Sequence, residues 1–221
     1  MRFDYKRIET DLRPAVDALR SSISTISRKP IVLVPLIVGV IFSEGLSLIV
    51  GVEFFSSFGF APVFFYSTTA IIVGLVVLVI GAVVSFFLIF VSLDMVRDSF
   101  FKREPNIRKS IEYVSGRLIV LVIAAIIGQA LVFTIFLIPV AISMFIIVFV
   151  DEENASRAIS KSVEFVRSRP VEIVALAIVA IVARLVLFFI PILSILTPVT
   201  DLVVGLAVLD IYVSYKGISQ A

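Results

Sequence analysis

The chain of 221 residues contains no cysteine, no histidine and no tryptophan. Without Cys there is no disulfide framework, no thiolate metal site and no thiol nucleophile. Without His, the commonest metal ligand and the usual general base near neutral pH are missing. Charge is scarce as well: 16% of residues are charged and 60% are hydrophobic, with a mean hydropathy of +1.17. A soluble domain is roughly 45–50% apolar and about 25% charged, so a soluble globule could not hide this much apolar surface. The composition excludes a cytosolic enzyme, a nucleic-acid binder and a disordered chain. There is also no H-E-x-x-H, no G-x-S-x-G and no phosphate-binding G-x-x-x-x-G-K. No catalytic residue, metal or cofactor is expected.

What the chain does have is long apolar runs: 31–52, 67–96, 118–150, 171–190 and 199–215. A transmembrane helix needs about 20 such residues. The thirty residues before the first run are charged and polar, and they do not read as a signal peptide. The run 118–150 would be about 50 Å long as one helix at ~1.5 Å per residue, against a hydrocarbon core of ~30 Å. Charge decides its parity. Of the nineteen Lys and Arg residues, all but Arg184 fall before the first run, after the second, after Val150, or at Lys216. The positive-inside rule makes that side cytoplasmic. Both ends of 118–150 are then inside, so it either crosses twice, turning near Pro139, or forms a re-entrant hairpin. We take the two crossings. The expected fold is all-α: a polytopic membrane protein with six transmembrane helices and both termini cytoplasmic.

The cytoplasmic segments repeat. Residues 19–31, 107–119 and 159–171 align without gaps, superposing Ser22, Ser110 and Ser162, and likewise Lys29, Arg117 and Arg169. Asp94, Asp151 and Asp210 each fall near the end of a second span. The expected units are about 15–98, 106–151 and 155–215, after an N-terminal cytoplasmic segment 1–14, all within one integral membrane domain. Each unit is an amphipathic helix followed by a hairpin of two spans. The third amphipathic helix gathers Ala155, Ala158, Ile159, Ser162, Val163 and Val166 on one face at a 3.6-residue period. Such helices lie at a membrane surface with basic residues toward anionic headgroups. The shared serines are expected as small packing residues.

The segment Val150-Asp-Glu-Glu-Asn-Ala-Ser-Arg-Ala-Ile-Ser-Lys-Ser-Val-Glu-Phe-Val-Arg-Ser-Arg-Pro170, with Phe3-Asp-Tyr5 and the Arg-Lys-Pro at 28–30, carries a family resemblance. It resembles a diffuse group of prokaryotic six-span membrane proteins, including the membrane domain attached to some glycerophosphodiester phosphodiesterases. The resemblance implies a six-helix domain in the cell membrane of a prokaryote. It implies no catalytic residues, because the phosphodiesterase chemistry belongs to a separate soluble domain.

Ionisable residues at bilayer depth are candidate functional groups. Glu44 and Arg184 each lie fourteen residues after a proline, Pro30 and Pro170, at the same position of units one and three. An ion pair between them is expected, with Gln129 nearby in unit two and Asp201 as a competing partner for Arg184. The outer segment 53–66 is dense in Phe and Tyr. It is either an interfacial aromatic belt or a docking surface for a membrane protein partner. The expected role is a non-enzymatic scaffold or accessory subunit of a membrane process. The alternative is a transporter or channel for a small ion, polar solute or lipid headgroup, centred on Glu44, Arg184, Gln129 and Asp201. A continuous polar path would favour transport; a sealed core would favour a scaffold.

Overall fold

A computed structural model describes residues 5–42, 45–46, 68–132, 137–151, 154–189 and 196–217. Among these the chain is helical throughout, without a strand. The helices are α1 (Tyr5–Arg28), α2 (Pro30–Phe42), α3 (Thr68–Phe100), α4 (Ile107–Gly116), α5 (Leu118–Val132), α6 (Ile138–Val150), α7 (Ala155–Ser168), α8 (Pro170–Phe189) and α9 (Thr197–Tyr215). Three stretches are long and apolar enough to cross a membrane: Val79–Phe100, Pro170–Leu187 and Thr197–Tyr215. The number rises to five if each bent pair, α1 with α2 and α4 with α5, counts as one span.

Helix boundaries follow from a few residues. Proline stands in the first turn of α2, α6, α8 and α9 as Pro30, Pro139, Pro170 and Pro198, where its missing N–H costs nothing. Asn106 and Asn154 cap α4 and α7, their side chains accepting from Lys109 N at 3.2 Å and Arg157 N at 3.0 Å. The chain turns sharply where an amphipathic helix meets an apolar one, by 95° between α1 and α2 and by 76° between α4 and α5. The run 118–150 forms two helices. Arg117, at the start of α5, reaches Val148 at the end of α6, so the pair is an antiparallel hairpin.

The centre of the molecule is built from α3, α6 and α9. Val91 and Met95, Met144 and Ile147, and Ala207 and Val208 are all fully buried in one apolar cluster. The first helix of each pair lies outside. Helix α8 buries Ile173, Leu176 and Ala177 but leaves Val174, Ile178, Val182 and Leu185 more than 40% exposed. In water each such side chain forfeits about half of the ~1.5–3 kcal/mol of full burial; hydrocarbon removes that cost. Small residues let outer helices approach inner ones. Gly39 meets Leu88, and a Cβ added at Gly128 would come within 2.6 Å of the Phe145 ring.

Helices α1, α4 and α7 bury mostly small residues: Ala15, Ala18 and Ser22 with Ile26 on α1; Ser110 and Val114 on α4; Ala155, Ala158 and Ser162 with Phe165 on α7. On α7 the buried face centres on Phe165, which the sequence reading left out, while Val163 and Val166 are only half-buried. Helix α4 lies on α3, α7 lies on α6 and α1 lies on α9.

Candidate functional site

Four groups of polar side chains stand out among the described residues. The first joins α8 to α9. Arg184 donates from Nε to Asp201 Oδ1 at 3.0 Å and from Nη2 to Asp201 Oδ2 at 2.8 Å, a bidentate fork. Both side chains are partly open, at 52% and 37% exposure. The pair borders an apolar cleft of about 200 Å³ whose walls include Leu93, Phe145, Ala180, Leu202 and Gly205. Arg184 lies five residues before the end of α8 and Asp201 four after the start of α9, so the hairpin sets them at equal depth. Arg184 is therefore paired with Asp201 of the neighbouring helix, the competing partner named from the sequence. Glu44 and the side chain of Gln129 lie outside the described residues, as does the aromatic segment 53–66.

The second group closes the end of α6. Its terminal carbonyls have no partner within the helix. Arg97 Nη1 donates to Phe149 O at 3.0 Å, Arg117 Nη1 to Val148 O at 3.1 Å, and Tyr113 OH to Phe149 O at 3.4 Å. Arg117 Nη1 also donates to Tyr113 OH at 2.7 Å, and the Arg97 guanidinium stacks 4.6 Å over the Tyr113 ring. Arg97 is in turn 2.7 Å from Asp94, which is 3% exposed. Positive groups thus meet the negative end of a helix dipole.

The third group centres on Asp151, just beyond α6. It accepts from Lys161 Nζ at 3.2 Å, Tyr212 OH at 2.8 Å and Lys216 Nζ at 2.5 Å. Burial by itself pushes the Asp151 carboxyl up. The hydrogen bonds from Lys216, Tyr212 and Lys161 outweigh it and hold the group below the ordinary carboxylate range. The Asp residues noted from the sequence are not equivalent in place: Asp94 and Asp210 lie inside the last two turns of α3 and α9, whereas Asp151 is the C-cap of α6.

The fourth group lines a polar recess of about 360 Å³ between α1, α8 and α9, with Asp17, Ser21, Arg169, Glu172 and Asp210 among its walls. Arg169 Nη1 donates to Glu172 Oε1 at 3.2 Å. Ser22, Ser110 and Ser162 are all buried. Ser22 Oγ donates to Ala18 O at 2.7 Å and Ser162 Oγ to Ala158 O at 2.5 Å, each back along its own helix.

Among the described residues, none of these hydrogen bonds or ion pairs joins the four groups through the centre. Between α3, α6 and α9 there is a void of about 20 Å³, bounded by Leu93, Val96, Ile146, Leu206 and Leu209 with Arg97 at its edge. That is room for roughly one water. Comparison with protein-family models, with curated proteins and with solved structures gave no match.

Proposed function

We propose that the chain is a six-span integral membrane protein, three hairpins each led by an amphipathic helix, that serves a membrane process as a non-catalytic scaffold or accessory subunit. The observation that carries this reading is the close apolar packing at the centre of α3, α6 and α9, around a void of about 20 Å³. The polar groups around it hold helix ends together, because their donors and acceptors are directed at one another and at terminal carbonyls. The three-unit organisation draws support from the way α4, α7 and α1 each pack on an inner helix, α1 completing a ring on α9. The basic residues on the outward faces, such as Arg20, Arg108 and Arg157, suit a cytoplasmic surface beside anionic headgroups. On this reading both termini lie on the cytoplasmic side of the cell membrane of a prokaryote.

Transport of an ion, polar solute or headgroup draws less support. It needs a hydrated route, whereas Asp201 spends both carboxylate oxygens on Arg184 and the cleft beside them is apolar. Reconstitution into sealed vesicles tests the choice. The expected result is no flux of Na⁺, K⁺ or H⁺ above empty vesicles, together with migration as a larger assembly from mildly solubilised native membranes. Flux that disappears in an Arg184→Gln variant would replace the scaffold reading with transport.

A further inference from the structure

The geometry points to the Arg184 cleft as a site for one phospholipid, with the phosphate on the Arg184 guanidinium and one acyl chain in the cleft. Of the five guanidinium N–H donors, Asp201 takes two. Three remain on a side chain that is half exposed among lipid-facing neighbours, Val182 and Leu185. Donors left bare beside hydrocarbon are costly, and Asp201 holds the guanidinium plane rigid so that they cannot turn away. The fork and charge of Arg suit a phosphate oxygen pair. Arg184 lies five residues, about 7.5 Å, from the end of a helix about as long as the hydrocarbon core is thick, so a phosphate dips below the headgroup level of the nearer leaflet to meet it.

The cleft supplies the second half of the recognition. Its volume of about 200 Å³ is below the ~300–1,000 Å³ of sites that enclose a whole drug-sized ligand. It accepts a linear hydrocarbon segment while the rest of the lipid stays in the bilayer. Because Asp201 already balances the charge of Arg184, recognition is by hydrogen bonding to phosphate, common to zwitterionic and anionic lipids. A neutral diacylglycerol has the chains but no phosphate. The leaflet assignment rests on the proposed crossing of α8; the binding itself does not.

Native mass spectrometry of the full chain in nonionic detergent tests this with phosphatidylglycerol, phosphatidylcholine and diacylglycerol of identical chains. The expected result is one retained lipid per chain for both phospholipids, with diacylglycerol roughly tenfold weaker, the worth of one charge-assisted hydrogen-bond set. Arg184→Lys keeps the charge opposite Asp201 but loses the fork, and is expected to weaken retention severalfold. Ala180→Phe, which fills the cleft, is expected to weaken all three lipids alike. Equal retention of diacylglycerol, an unstructured ladder of bound lipids, or unchanged retention in Arg184→Lys would overturn the assignment. If a variant does not fold, the headgroup comparison on the unaltered protein still decides. Failure here would leave the six-span reading intact, since that reading is tested by accessibility and flux.

Discussion

Asp151 shows how one carboxylate can join three helices that are distant in sequence. It caps α6 and draws in Lys161 of α7 and Tyr212 and Lys216 at the end of α9. Because its pKa in the folded protein is lowered, its stabilisation is fully present above the unfolded value of about 3.9. It is lost as pH falls through the lowered folded value. Thermal unfolding in detergent is expected to show Asp151→Asn less stable than the parent at neutral pH, with the difference shrinking toward strong acid. A gap that stays constant down to acid would contradict a titrating role. Arg184 and Asp201 make a second test at this scale. Since both are partly exposed, their coupling is discounted to about 1 kcal/mol. In a double-mutant cycle, Arg184→Leu and Asp201→Leu are each expected to destabilise, with the double variant recovering most of that loss. The sequence carried the Arg184 partner in plain view: in a hairpin, residues equidistant from the turn meet. Repeat equivalence points to Glu44 as well, because it fixes depth, but Glu44 lies outside the described residues.

At the scale of elements, most of the helices were legible. The prolines, the two capping asparagines and the apolar runs mark where helices start, and Pro139 splits 118–150 where the length argument required a break. The faces of the amphipathic helices were legible only in part. A 3.6-residue pattern identifies a stripe to be covered, but the width of the stripe depends on what covers it. Phe165 joined the buried face of α7 because Tyr212 and Tyr215 of α9 stand 5.0 and 5.3 Å from its ring, a contact between residues far apart in the chain. The closeness of α5 and α6 can be tested at glycine. Gly128→Val is expected to cost about 1–3 kcal/mol, because the added carbons meet the Phe145 ring. Gly116→Ala, at the end of α4 where an added Cβ meets nothing within 4 Å, is expected to be neutral or slightly stabilising. Equal effects would mean that α5 and α6 do not approach as described.

At the scale of the whole molecule, the central claim is a sealed six-span bundle whose cytoplasmic helices form a closed set. The bilayer was readable from composition alone, and the exposed apolar face of α8 agrees with it. The closure of α1 on α9 was not, because an amphipathic stripe does not name its partner. Closure predicts that α1 and α9 unfold together: removing residues 1–28 is expected to lower the unfolding temperature and expose Asp210 and Ser214, which line the recess against α1. The number of crossings is open to a direct measurement because the chain has no cysteine. Single cysteines at Ser57, Thr134 and Ser194, and at Ser115, Ser168 and Ser219, can be probed in intact cells with a membrane-impermeant maleimide. The account predicts labelling of the first three without permeabilisation and of the second three only after it. Protection of Thr134 while Ser57 and Ser194 react would make α5 and α6 a re-entrant hairpin and contradict the six-span architecture.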